Sequence, residues 1–532
     1  MRYASADDQD LTTREAIVEL TSSLSMPTLP ASRLPVIVGI GEITEKLRDP
    51  KQALEPIALM TEALRRAAAD ASTSSAAALI ASVDSLDIVA EYSWPYADAC
   101  ALLSERLDIQ PTRTTYGAAG GESPVRFIHE AALRIANGDS VIAAIVGAEA
   151  NYSAAAAAKS GVEPPWSARD PNAKLLRGKD MCHPLAVRHG MVQPVQIYPL
   201  YENAAQAAWG QTQGEALCES GELWSRYSEV AAGNPYAWLT KRYSPEEIIT
   251  PTPDNRLIAW PYTKHMVANP LVNQGAAVLL TTLEKARELG VADDRLVYLW
   301  SGASAAEPRD YLQRDQYWRS VAQDAVMRAV LDQAGGDASR FALVELYSCF
   351  PIVPKMARRT LGLSADAQMT STGGLSFFGA PLNNYMTHAA AGLVRRLREQ
   401  RCKLALLYGQ GEYVTKHHAL ILASAPPEEN RLSPDYSVQA VADRQRGAIP
   451  DLVLDYTGTA NLETFTIVYA RDGAAEFGTV IARTPGSARL MARVRAEDAA
   501  SLGTLTDLAI CPIGRAGLVS RGADELLTWK IA

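Results

Sequence analysis

Residues 114–138 read TTYGAAGGESPVRFIHEAALRIANG, a run of small residues leading into an amphipathic helix. The start of a helix offers free N–H groups and the positive end of the helix dipole, so a nucleophile or an oxyanion placed there is stabilised. The loop before this helix holds no cysteine. Its one serine, Ser123, precedes Pro124, the expected first helical residue, and reads as a cap. His129 lies deeper in the helix and reads as a packed core histidine rather than a base. What the loop does offer is room, through Gly117, Ala118 and Gly120. Other chemistry-bearing side chains fall in YSCF at 347–350, with Tyr347 and Cys349, and in GAPLNNY at 379–385, with Tyr385.

Composition narrows the chemistry. The chain has 532 residues, 48% of them hydrophobic and 21% charged, with a formal net charge of -9. That balance suits a globular enzyme of two or three domains and lacks the basic stripe of a nucleic-acid binder. The six cysteines, Cys100, Cys182, Cys218, Cys349, Cys402 and Cys511, show no CxxC spacing. Reduced, mostly buried thiols are therefore expected, with no metal. The start of the chain carries acidic residues where a signal peptide carries positive charge, and no apolar run is long enough to span a bilayer. A cytoplasmic protein with no membrane and no nucleic-acid partner is the expectation.

The elements that must hold these residues alternate. From residue 34, β-branched runs such as LPVIVGIGEI, SLDIVAEYS and SVIAAIVGAEANYS are separated by amphipathic stretches such as ALEPIALMTEALRRAAADA. This is the beat of a layered α/β domain. Residues 152–265 break it with Pro, Trp, Tyr and Asn, as a lid or binding excursion does. NQGAAVLLTT restores the beat, and a second α/β half runs to residue 425. Residues 426–450 lack periodicity and read as a linker. Residues 451–532 hold short strands at close intervals, the pattern of a small antiparallel barrel.

In this order the motifs resemble those of a thiolase. NQGAAVLLTT is similar to the family's Asn-Asp-Gly-Ala-Ala stretch, STGGLSFFGAP to its Gly-Gly-x-x-x-x-Gly-His-Pro loop, and GQGEYVTKHHALILAS to its Gly-Gln-Gly strand pair. The resemblance covers residues 34–425 and implies two similar halves stacked as a five-layered α/β/α/β/α domain under a loop domain. The halves would span 34–290 and 291–425, with 1–33 as an N-terminal extension. Thiolases cleave 3-ketoacyl-CoA, or join two acyl-CoA molecules, through an acylated cysteine at the start of a central helix. A second cysteine moves protons, and a Gly-His-Pro histidine and an Asn-Glu-Ala-Phe element shape oxyanion holes. Here Gly117, or Ala118 one residue on, takes the place of the nucleophile. Ala380 replaces the histidine and Ala405 the second cysteine, while Cys402 is expected to face away. Tyr347-Ser348-Cys349-Phe350 replaces the oxyanion element. Sterol-carrier-type thiolases also carry a cysteine at the third place of that element, so Cys349 reads as structural. The match narrows to the thiolase-like protein type 1 group, which adds a C-terminal β-barrel and lacks the catalytic residues.

The resemblance implies a relative of acetyl-CoA acetyltransferases, in acyl-CoA and lipid metabolism, without conventional thiolase activity. Two alternatives stay open. One is an aldolase-type carbon–carbon lyase on acyl-CoA esters that uses Tyr347 and Tyr385. A phenol with a pKa of about 10 is a poor base, so it would need nearby positive charge or backbone donors. The other is a non-catalytic acyl-CoA binder or scaffold, in which Tyr347 merely fills the vacated site. Either way the expected pocket is built from Gly117, Ala118, Gly120, Cys349 and Gly379. No cofactor is expected beyond the CoA of a ligand, in a monomer or homodimer.

Overall fold

The computed structural model describes residues 28–532, apart from 48, 72–74 and 402. Residues 1–27 of the expected N-terminal extension, and Cys402, therefore lie outside the described residues. In the first half β1 (Pro35–Thr44), β2 (Ser85–Ile88), β3 (Arg113–Tyr116) and β4 (Ile142–Ala150) alternate with helices Pro56–Asp70, Ala99–Leu107 and Ser123–Asn137. The excursion then contributes β5 (Leu257–Ala259) and β6 (Tyr262–Thr263), and β7 (Asn273–Thr282) returns to the half. The second half holds β8 (Val297–Ala306), β9 (Phe341–Leu346), β10 (Leu404–Gly411) and β11 (Lys416–Ala423). Its helices are Val321–Gln333, Ile352–Leu361 and Tyr385–Glu399.

The strands follow the order β3-β2-β4-β7-β1-β8-β11-β10-β9. The halves join where Val36 and Ile37 of β1 pair with Tyr298 and Val297 of β8. β4, β7 and β10 are buried along their whole length, because helices cover both faces; this is why they read as unbroken apolar runs rather than as alternation. Pro56–Asp70 covers the outer face of β1, β4 and β7, and Val321–Gln333 covers β8 and β11. Ser123–Asn137 and Tyr385–Glu399 touch strands of both halves and each other. They form the middle of five layers, and the loop at residues 117–122 sits at their seam.

The C-terminal region holds β12 (Gly458–Tyr469), β13 (Ala475–Arg483), β14 (Arg489–Arg495), β15 (Ala516–Arg521) and β16 (Leu527–Ile531). They run in the order β13-β14-β16-β15-β12, and a β12–β13 pairing closes the barrel. One pairing departs from the antiparallel expectation: Arg493 of β14 faces Thr528 of β16 in parallel. The crossing segment after β14, with its short helix Ala499–Leu505, brings β16 alongside in the same direction.

The barrel is joined firmly to the rest. Ala259 of β5 pairs with Val468 of β12, and Trp260 enters the barrel core with Phe465, Val480 and Trp529. Residues 426–450, expected as a linker, carry helix Gln439–Gln445 packed on β8 and on Val321–Gln333. The fully buried Arg489 guanidinium grips Glu463 at 2.6 and 2.9 Å and reaches across to the carbonyls of Leu312 and Arg314. Arg489→Ala leaves Glu463 to Arg483 alone and strips the buried Leu312 and Arg314 carbonyls of their donor, so it is expected to cost about 3 kcal/mol in denaturant unfolding. Barrel and α/β core are expected to unfold in one transition. A first transition confined to the barrel, seen by its Trp529 fluorescence, would contradict the joint.

Candidate functional site

A cavity of about 520 Å³ opens between the excursion and the seam of the two halves. Its walls include Ala119, Gly120 and Gly121 of the loop, Tyr347 and Cys349 after β9, and Ala380 and Asn383 of the glycine-rich turn. Tyr92, Gln193, Tyr198, Glu412 and Tyr413 complete the polar part of the lining. The loop reaches this place for a steric reason. A Cβ on Gly121 would stand 2.4 Å from Tyr347 Oη and 2.5 Å from the Gln410 carbonyl, so only glycine permits the approach. Asn383 holds the loop from the other half: its Oδ1 accepts the Gly120 N–H at 2.9 Å, and its Nδ2 donates to the Ala90 carbonyl at 2.8 Å.

The expected site residues separate on this geometry. Gly117 and Ala118 are not among the cavity lining. The Gly117 N–H bonds the Ile88 carbonyl at 2.8 Å, and a Cβ there would run into the Phe127 ring. Ala118 accepts the Ser123 hydroxyl at 2.7 Å. The loop's contribution therefore begins at Ala119. Ser123 is the first residue of its helix and makes this local bond instead of capping. Gly379 packs against Gln274 beside the cavity, and its neighbour Ala380 does the lining. Ala405 lies inside β10, opposite Leu422 and away from the cavity. His129 is a core histidine, its Nδ1 3.0 Å from His418 Nε2, and burial pulls its pKa down to about 4.

Tyr347 and Cys349 do reach the cavity. The Tyr347 hydroxyl makes no hydrogen bond to any described residue, and burial holds its pKa well above the usual range. Tyr385 stands behind it, ring centroids 6.0 Å apart and edge to face. Its hydroxyl is engaged with Thr372 Oγ1 at 2.6 Å and Glu345 Oε1 at 2.8 Å, so it does not open on the cavity. Burial pushes the Cys349 thiol up to about 12, which keeps it neutral. The charge of Glu412 is taken by Arg309, at 3.0 and 3.1 Å, and by Lys416 at 2.9 Å. Of the lid aromatics, Tyr198 lines the cavity, whereas Trp224 stacks on Tyr227 in the core.

Sequence reasoning missed a set of buried carboxyls around this wall. Glu149 of β4 accepts the Tyr92 and Ser93 N–H groups at 2.8 Å each. Glu91 accepts the Tyr116 hydroxyl, and Glu345 gathers Tyr385, Thr370 and the Ser371 N–H. The available signal was one glutamate inside each apolar run: DIVAEYS, VGAEANYS and FALVELYS.

Residues 438–524 match the thiolase-like protein type 1 additional C-terminal domain. A monomeric SCP2-thiolase like protein type 1 from Mycobacterium smegmatis is 29% identical, with a TM-score of 0.79 over 94% of this chain and 99% of that one. In fold and in its additional C-terminal domain the chain is similar to the thiolase-like protein type 1 group. Two further structures share the thiolase fold with this chain. The Ltp2-ChsH2 aldolase is 17% identical with a TM-score of 0.57, over 74% of this chain and 98% of that one. Human mitochondrial 3-ketoacyl-CoA thiolase is 14% identical with a TM-score of 0.55, over 74% of this chain and 100% of that one. No curated protein sequence matches the chain. Among the described residues, no helix is long and apolar enough to cross a membrane, and no group of His, Cys, Asp and Glu could hold a metal ion.

The carboxyls are expected to make the fold sensitive to alkali. Burial raises Glu149 from 4.5 to about 8, and Glu91 and Glu345 to about 7. A folded pKa above the unfolded one means that the native state holds the extra proton. Stability is then full below about 4.5 and declines, by about 1.4 kcal/mol per pH unit and group, until the carboxyl ionises. The melting temperature is expected to fall from about pH 5 to about pH 8, and Glu149→Gln to flatten the upper part of that slope. A melting temperature that rises over this window in the wild type would contradict the assignment.

Proposed function

We propose that the chain binds the acyl part of a thioester of the acyl-CoA kind in this cavity, and that thiolysis and Claisen condensation are not among its reactions. One observation carries the reading: the glycine loop still approaches the cavity, while Cys349, the thiol on its wall, is held neutral by burial near a pKa of about 12. A thiol of that pKa is ionised on the order of once in a hundred thousand molecules at neutral pH, too rarely for an acyl-enzyme. Binding needs less. Val192, Val195 and Leu375 offer apolar wall, and each CH₂ buried there contributes about 0.8 kcal/mol. A human mitochondrial 3-ketoacyl-CoA thiolase of this fold has been crystallised with CoA, which supports the ligand class. The type 1 relative is monomeric, and this cavity is lined by residues of a single chain, which supports a monomer as the working unit.

A second reading is carried by the partnerless Tyr347 hydroxyl. When the carbon–carbon bond of a β-hydroxyacyl thioester breaks, the β-hydroxyl becomes a carbonyl as its proton passes to water, and the bonding pair moves onto the thioester as an enolate. A neutral phenol aimed at the enolate oxygen stabilises it as an oxyanion donor does. This is the role for which Tyr347 is suited; a base it is not, because its pKa is raised and no cation adjoins it. Tyr385, fixed by Glu345, would then steady the Tyr347 ring. The fold shared with the Ltp2-ChsH2 aldolase supports this reading.

Acetoacetyl-CoA with CoA is expected to turn over no faster than a heat-inactivated control. Turnover that disappears with Cys349→Ala would make that cysteine the nucleophile after all. Calorimetry across short, long and ring-bearing acyl-CoA esters is expected to find a micromolar ligand, about -8 kcal/mol. Silence across the panel at millimolar ligand sinks the binding reading. With the bound ester, Tyr347→Phe is expected to keep affinity within a few-fold and to abolish any carbon–carbon cleavage.

A further inference from the structure

Glu122 stands where helix Ser123–Asn137 begins, a position at which a carboxylate ordinarily accepts the first-turn N–H groups. It makes no such bond. The side chain folds back beneath the cavity loop, where the residue is 6% exposed. A Cβ on Gly120 would come within 2.1 Å of Glu122 Oε2, and one on Gly411 within 1.9 Å. Oε2 has no hydrogen-bond partner among the described residues, and the carboxyl is otherwise met by its own backbone N–H and by the Lys416 ammonium, 3.8 Å from Oε1. That ammonium is occupied closer by, at 2.9 Å from both the Ala119 carbonyl and Glu412. Beyond the loop, against Gly121, lies the other partnerless oxygen, Tyr347 Oη. Two glycines thus separate a buried carboxyl from the phenol that faces the cavity.

We propose that Glu122 is a positioning residue whose charge decides whether the cavity accepts an oxyanion, an enolate or phenolate oxygen, at the Tyr347 hydroxyl. Protonated, Glu122 leaves the small-residue floor neutral, and the Tyr347 O–H and the helix start favour the anion. Ionised, it places a negative charge beneath that floor and repels it. The groups that face Glu122 are Arg126 on its own helix, Lys416 and Glu412 of the β10–β11 turn, and Tyr347 after β9. Burial raises the carboxyl pKa against the pull of Lys416 and Arg126, with Glu412 adding to the rise. The proposal takes Tyr347 as the donor named in the reading above, but it does not require a CoA ligand.

The probe is para-nitrophenol, whose phenolate and phenol differ in colour, titrated into the full chain. In the wild type, affinity counted per phenolate is expected to fall as pH rises through the Glu122 titration. In Glu122→Gln it is expected to stay level and, at alkaline pH, to exceed the wild type about tenfold, the effect of one unit charge near the site at an effective dielectric of about 20. Glu122→Asp restores the wild-type fall, and Tyr347→Phe weakens the phenolate in every background. A pH-independent phenolate affinity in the wild type overturns the proposal without any variant. Equal behaviour of wild type and Glu122→Gln, or no bound phenolate in either, overturns it too. Acyl-CoA calorimetry separates the two ideas: silence there with a responding phenolate strikes only the thioester reading, and the reverse strikes only the role of Glu122.

Discussion

The side-chain amide of Asn383 is the tie on which the site depends. It belongs to the glycine-rich turn of the second half, yet both of its ends serve the first half: one takes the Gly120 N–H, the other meets the Ala90 carbonyl. Each of those backbone groups is buried, and leaving one unpaired would cost about 1–3 kcal/mol. Only while the loop is held can Gly121 lie against Tyr347 and Gln410. The cavity is therefore a property of the seam, and neither half makes it alone. The two central helices matter for the same reason, since they keep both sheets in register around that one amide.

The titratable groups of the seam are also buried, and burial decides their chemistry. A nucleophilic site spends charge to lower a pKa; this one does the reverse at every titratable group near the cavity for which a shift is evident. Cys349, Tyr347, Tyr385, Glu345 and Glu149 are all displaced toward their neutral forms, each with burial as the leading cause. The charged side chains at the rim, Arg309, Glu412 and Lys416, satisfy one another. What remains facing inward is apolar wall, a neutral phenol and short stretches of backbone, an environment for recognition and for holding charge that a ligand develops.

Much of the fold was legible because its signals are local. Runs of β-branched residues marked strands buried on both faces, and three glycine-bearing motifs in order marked the layers. The barrel announced itself by strand spacing. The loop register was not legible. Counting along GAAGG placed the approach at Gly117 or Ala118, whereas the Phe127 ring and the Ile88 carbonyl hold that part back and deliver Ala119 to Gly121 instead. Tyr385 lies near Tyr347, but its hydroxyl turns to Glu345, a partner forty residues away that no motif links to it. The glutamates inside DIVAEYS, VGAEANYS and FALVELYS were passed over as strand residues. An acid in the middle of a fully buried run is costly unless it is held, and that cost was the clue. Likewise Val468 gave no hint that Ala259, in the lid, would extend its sheet.

That pairing of β5 with β12 has a consequence for how the chain is made. Ala259 leaves the ribosome long before Val468 exists, so the lid spends much of synthesis with its strand unmatched and Trp260 without the core it will enter. The two α/β halves can condense in that interval from contacts that are already available. The cavity roof cannot, because its last support is encoded near the C-terminus and closes one of the longest loops in the molecule. A truncated chain would therefore present an open seam lined with apolar wall, the kind of surface that chaperones retain and that aggregates when they do not. The lid thus completes its sheet only after β12 has been made.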